Sequence, residues 1–199
     1  MTRRMARADR REQLVRSAEQ VFVAQGFAAA SMDDVAETAG VTKPVIYDHF
    51  GSKDGLLAAV IARLGDQMLE RTTGAIADLT SPEEALEQGL TAYFRFVDQH
   101  AGAWSLLLRE VAPGSAAAQE VERVRQAQVA AIAELVRLHL PGPDGGRAEV
   151  YAHAVSGAAE RLAAVRLSGR RVSAARSAAL LMDVMWRGFA QLQEEGAPA

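Results

Sequence analysis

The residues best suited to chemistry lie between Ser31 and Leu57. Turning Val35, Ala36, Val41, Ile46 and Phe50 inward against Leu14, Phe22 and Phe27 leaves Lys43, Pro44, Val45, Tyr47 and His49 facing outward. A lysine ammonium, an apolar valine and a tyrosine phenol on one short helix suit the major groove of duplex DNA. There lysine donates to guanine and valine touches a thymine methyl. His49 and Val45 serve packing as readily as base contact, and both readings stand. Asp48 departs from the pattern: a carboxylate near phosphates is unfavourable unless it pairs with a cation or accepts from cytosine.

Positioning such a face requires two short helices meeting at a sharp turn, and the sequence supplies the punctuation. Met32, Val35, Ala36 and Ala39 recur at helical spacing, Ser31 stands as N-cap, and Asp34 makes an acidic capping-box variant. Gly40 sits where the turn needs conformational freedom. Thr42 is placed to cap a helix reaching Phe50, Gly51 interrupts, and Ser52 caps a fourth helix from about Lys53 into the low seventies. Ahead of these, Leu14, Ala18, Val21 and Phe22 predict a first helix from about Arg10 to Gln25, stopped by Gly26.

The rest also reads as helix. Ser81-Pro82-Glu83-Glu84 opens one to about Gln99, with a shorter one near Gly102–Val111. A long helix is expected over Ala116–His139, a strong break at Leu140–Gly146, and two final helices near Arg147–Leu167 and Ser173–Glu194. That is an all-α chain of nine helices, without alternating strand patterns or internal repeats.

Composition narrows the possibilities. The 199 residues are 49% hydrophobic and 24% charged, a globular balance, and contain no cysteine, which excludes disulfides and thiolate sites. Residues 1–16 hold six arginines against Asp9 and Glu12, a net +4, so the overall −3 leaves −7 on the remainder. A basic arm on an acidic body suits phosphate contact at one end, and suits a solvated tail as well. The arm has neither the apolar core nor the cleavage site of a secretory signal, and no apolar run approaches the roughly 20 residues that span a bilayer, so a cytoplasmic location without membrane contact is expected. The four histidines, His49, His100, His139 and His153, form no i, i+4 or Glu-x-x-His pair. Without a Gly-rich phosphate loop or a nucleophile elbow, the expectation is no enzyme, no metal and no cofactor.

The stretch VAETAGVTKPVIYDHFGSKDGLL resembles the signature of the TetR family: an Ala39-Gly40-Val41 turn, the Thr42 cap, Tyr47-Asp48-His49-Phe50, then Lys53. The likeness is close over residues 10–60, and the nine-helix layout agrees beyond it. It implies phosphate contacts at Thr42, Tyr47 and Lys53, and positions near base edges at Lys43, Pro44, Val45 and His49. It divides the chain into a DNA-binding domain at 1–52, with 1–9 a flexible basic arm, and an effector-binding and dimerisation domain at 53–199.

In the last helix Leu180, Leu181, Val184, Met185, Gly188, Phe189 and Leu192 form a broad stripe, and Ala154, Gly157, Ala158, Leu162 and Val165 offer one on the helix before it. The resemblance implies that these pack with their twofold mates into a homodimer, whose two recognition helices about 34 Å apart read a palindromic operator. The aromatic-rich middle implies an apolar effector pocket, with Phe94, His100, Trp104, Leu107, Leu108 and Tyr151 as wall or anchor residues. For each of these, ordinary core is the competing reading. The functional expectation is a repressor of double-stranded operator DNA, released by a small, largely apolar effector. An activator of the same fold and a helix-turn-helix retained as a protein-interaction module are the alternatives.

Overall fold

The computed structural model describes residues 6–139, 145–169 and 172–195, excepting the side chains of 107–109, 138–139, 145 and 187–195. Among the described residues it is all-α, with nine helices: α1 (Arg7–Gln25), α2 (Met32–Ala39), α3 (Lys43–Phe50), α4 (Lys53–Gly74), α5 (Pro82–Gln99), α6 (Ala101–Glu110), α7 (Ala116–His139), α8 (Gly145–Leu167) and α9 (Ala174–Glu195). Helix α1 starts at Arg7 rather than near Arg10, so residues 7–9 of the expected arm are helical. The Arg10 N–H bonds the Ala6 carbonyl at 3.0 Å, and Asp9 lies in the first turn, where a carboxylate suits the positive helix end. The outermost arm with Arg3 and Arg4, and most of the expected Leu140–Gly146 break, fall outside the described residues.

Two compact units emerge. The first comprises Met1–Asp66 and Gly102–Arg123, the second Gln67–Ala101 and Val124–Ala199. The boundary runs within α4, α6 and α7, whereas the sequence partition was drawn ahead of α4.

The first unit is built on Leu14, Val15, Phe22, Val35, Ile46 and Leu56, all fully buried. Phe27 packs edge-on against Phe22 with centroids 5.3 Å apart. Arg63 on α4 ties down α1 through Glu12 at 2.8 Å and Glu19 at 2.6 Å. In the second unit α5 packs along α9 and touches α8. Alanines at 148, 152, 159 and 163 turn inward on α8 together with Val155, so the helix approaches its neighbours through small side chains. Arg166, itself buried, donates through Nη2 to Asp98 at 2.7 Å and through Nε to the Val172 carbonyl at 3.0 Å, and lies over the Phe94 ring. None of the helices among the described residues is long and apolar enough to cross a membrane.

Candidate nucleic-acid interface and ligand cavity

The α2–α3 pair is fixed by bonds from side chains to backbone. The Asp34 N–H donates to Ser31 Oγ at 3.1 Å, and Asp34 Oδ2 accepts from the Ser31 N–H at 2.8 Å, completing a reciprocal cap. The hydrogen bonds from Ser31 hold the Asp34 carboxyl below the ordinary carboxylate range. Helix α2 ends at Gly40 with φ 64° and ψ 38°, a left-handed geometry that penalises any side chain. The Gln13 amide donates to the Ala39 carbonyl at 3.0 Å, bracing the end of α2 from α1.

Helix α3 follows with Pro44 in its first turn, where a missing N–H costs nothing. Thr42 occupies the N-cap position, but its hydroxyl makes no capping bond. Ile46 faces fully inward, while Thr42, Lys43, Pro44, Tyr47 and Asp48 face solvent, with Tyr47 42% exposed. Val45 and His49 are half-buried, and the His49 ring rests near Phe50 with centroids 5.8 Å apart. Their place leans toward packing more than the outward face assumed. Lys43 reaches back to Asp33 on α2, Nζ to Oδ2 2.8 Å, and that bond pushes its ammonium above the ordinary lysine value.

Beyond α3, Ser52 Oγ accepts from the Gly55 N–H at 2.9 Å and starts α4. A methyl group added to Gly55 would stand 2.3 Å from the Phe50 carbonyl oxygen, so no side chain fits where α4 crosses the end of α3. Lys53 Nζ donates to the Ala28 carbonyl at 3.3 Å and lies 4.5 Å from the Phe27 ring centroid. The same Ala28 receives a second constraint: its N–H donates to Glu110 at the end of α6, at 2.8 Å. Asp54 in turn accepts from the Ala116 N–H, at 2.7 Å, at the start of α7. The turn after α1 and the α6–α7 junction are thus each held by a carboxylate. The sequence alone assigns no role to Asp33, Asp54, Gly55 or Glu110. Only Gly55 left a trace, as a glycine inside a helical pattern.

The second unit contains a cavity of about 120 Å³ between α4, α5, α7 and α8, with Leu69, Ile76, Leu90, Tyr93, Ile132 and Glu160 among its walls. Phe94, His100, Trp104 and Tyr151 do not line it. Phe94 is fully buried under Arg166, His100 stacks on Phe96 at 4.2 Å, Tyr151 accepts from Arg147 at 3.1 Å, and Trp104 is half-buried on α6. The side chains of Leu107 and Leu108 lie outside the described residues. The cavity takes Tyr93 instead of Phe94, about 100° around the same helix. Burial pushes the Tyr93 phenol well above its ordinary value, so it stays protonated and neutral. At the polar edge Glu160 is held by a fork from Arg125, Nε–Oε1 3.0 Å and Nη2–Oε2 3.2 Å.

A three-helix head presenting α3 outward, followed by a helical unit that contains an apolar cavity, is the layout of a class: helix-turn-helix transcriptional regulators. Residues 14–60 match the description "Bacterial regulatory proteins, tetR family", and residues 82–188 match "Tetracyclin repressor-like, C-terminal domain". The chain belongs to the TetR family of transcriptional regulators. It is 38% identical over 104 residues to the transcriptional activator FasR of Mycolicibacterium smegmatis, an alignment covering 52% of this chain and 48% of FasR. It thus spans about half the length of that curated relative. A TetR-like regulator from Rhodococcus sp. RHA1 superposes with a TM-score of 0.70 at 33% identity, covering 94% of this chain and 99% of the other. FadR from Bacillus subtilis, solved in complex with stearoyl-CoA, superposes with a TM-score of 0.75 at 14% identity, covering 87% and 96%. The last likeness is one of fold.

Proposed function

We propose that the protein is a homodimeric, sequence-specific DNA-binding repressor, released from a palindromic operator by a small, largely apolar effector held in the cavity of the second unit. The observation that carries the DNA reading is the exposed face of α3 on a head whose turns are each fixed by named bonds. Thr42 offers a hydroxyl uncommitted to capping beside a helix N-terminus, Tyr47 an exposed phenol, and Lys53 an ammonium with two further N–H donors. These three contact phosphates; Lys43 and Pro44 lie nearest the base edges, with Val45 and His49 supporting them from half-buried positions.

Dimerisation is supported by the outward side of α8 and α9. Ala154 and Gly157 are exposed, Leu162 and Val165 half-buried, and Leu180 and Val184 stand 39% and 76% exposed. Apolar residues so placed favour a second copy. The expected continuation through Gly188, Phe189 and Leu192 lies outside the described side chains. A near-complete switch requires the effector to prefer the released state by about 5.5 kcal/mol, and operator must weaken effector binding by the same factor as effector weakens operator binding.

Salt titration of operator binding tests the phosphate assignment. Lys53→Ala should weaken binding to every DNA sequence and lower the salt slope by about one unit, while Tyr47→Phe should weaken it uniformly at unchanged slope. Unaltered affinity and slope in Lys53→Ala would remove Lys53 from the interface. A second reading, activation of transcription from the same operator, is favoured by the likeness to FasR, an activator. A promoter fusion separates the two: deletion of the regulator raises expression under repression and lowers it under activation.

A further inference from the structure

We propose that the cavity of the second unit selects an uncharged, mainly hydrocarbon molecule bearing one hydrogen-bonding group, in its simplest form an alcohol, and rejects the carboxylate and the amine of the same skeleton. The inference deepens the reading of that cavity as the effector site and rests on it.

The walls are hydrocarbon: Leu69, Ile76, Leu86, Leu90 and Ile132 surround most of the space. No lysine, arginine or histidine is among the described residues that line it. Its one carboxylate, Glu160, already receives two hydrogen bonds from Arg125, so the polar edge carries an ion pair of zero net charge. A carboxylate ligand would meet the like charge of Glu160, and the nearby Arg125 guanidinium is already balanced by that carboxylate. An ammonium ligand would have to share Glu160 with Arg125, beside a like charge, while giving up its own water. Either ion adds an unbalanced charge to a neutral pair beside an apolar space, a cost no neutral molecule incurs.

The remaining polar groups suit a neutral partner. Burial keeps the Tyr93 phenol protonated. The Thr72 hydroxyl gives its proton to the Met68 and Leu69 carbonyls, at 2.9 and 3.0 Å, and keeps an oxygen that accepts. An alcohol O–H can donate to that oxygen while its chain stays among the hydrocarbon walls. Size sets the scale of the hydrocarbon part. At about 120 Å³ the space is somewhat smaller than the roughly 150 Å³ apolar cavity known to hold benzene, so a six-carbon skeleton is the natural probe.

The test uses the full chain at pH 7 with 1-hexanol, hexanoate and hexylammonium, their binding followed by ligand-observed NMR and by calorimetry. Hexanol should bind at least about tenfold more tightly than either ion. Hexanoate or hexylammonium binding as tightly as hexanol would overturn the proposal. Glu160→Gln leaves the Arg125 charge uncompensated and should raise hexanoate affinity by about tenfold, narrowing its gap to hexanol while hexylammonium gains nothing; unchanged selectivity in that variant overturns the role given to the ion pair. Ala131→Phe narrows the cavity from its half-buried edge and should abolish hexanol binding, and retained binding would place the alcohol elsewhere. Operator affinity is measured in parallel. Selective hexanol binding that leaves operator affinity unchanged overturns the effector reading while the selectivity stands; hexanoate-selective binding that releases operator does the reverse.

Discussion

The two units of this regulator differ in their packing, and the functions proposed for them draw on that difference. In the head, side chains grip backbone: Ser31 and Asp34 close the start of α2, Gln13 the end of α2, Ser52 the start of α4, and Glu110 the turn after α1. Such bonds are directional and fix the elements on either side of α3, which suits the groove contacts proposed for it. In the second unit the buried set is rich in alanine, with valines and the aromatics Tyr93, Phe94 and Phe96 on α5, and a cavity remains where no side chain fills the space. Directional bonds suit a rigid reading surface, and incomplete packing leaves room for the proposed ligand.

The largest expected effect tests the head's packing. Phe22 is fully buried, and Phe22→Ala should cost about 4 kcal/mol, opening the head and abolishing operator binding while hexanol still binds the second unit. Hydrogen exchange resolves the two units separately, and loss of protection across both at once would undo the contrast. Gly55→Ala comes next, at about 3 kcal/mol, because its methyl meets the Phe50 carbonyl, a backbone atom with little room to retreat. Denaturant unfolding checks it; a cost below about 1 kcal/mol would mean that α4 is free to shift on α3.

Leu90→Ala in the cavity wall should cost less, about 2 kcal/mol at the lower end for buried leucines, since part of its surface already borders empty space. It should also improve binding of alcohols longer than hexanol. A cost equal to that of Phe22→Ala would show the wall to be packed like the head.

The smallest effect concerns pH. Burial pushes the Glu12 carboxyl up, but the hydrogen bonds from Arg16 and Arg63 together outweigh it, and the folded carboxyl titrates below its ordinary value. The unfolded chain therefore takes up the proton first on acidification. The contribution of Glu12 is complete above the ordinary glutamate range and disappears as pH falls through the lowered folded value. Stability of Glu12→Gln compared with the unsubstituted protein should converge in acid; a difference that stays constant with pH would remove Glu12 from that account.

The same contrast explains what could be read in advance. Caps and stops are local chemistry, so Ser31, Gly40, Ser52, Ser81 and Pro82 announced their helices from sequence spacing, and the inward set Leu14, Phe22, Val35 and Ile46 followed from periodicity. Contacts between distant segments left no such mark. Nothing near Ala28 signals Glu110, and nothing near Lys43 signals that Asp33 takes its ammonium. The cavity was least legible, because it arises from missing volume among helices far apart in sequence. Aromatic content pointed to α5 but not to a face, and one step along the helix separates Tyr93 at the cavity from Phe94 in the core.

The most direct test of the central claim is a fluorescence-anisotropy titration of the full chain against genomic DNA fragments at two salt concentrations. A small set of fragments should bind far more tightly than bulk DNA, two chains per site, with affinity falling steeply as salt rises. Binding that neither discriminates among fragments nor responds to salt would contradict it and favour a protein-interaction role for the α2–α3 head.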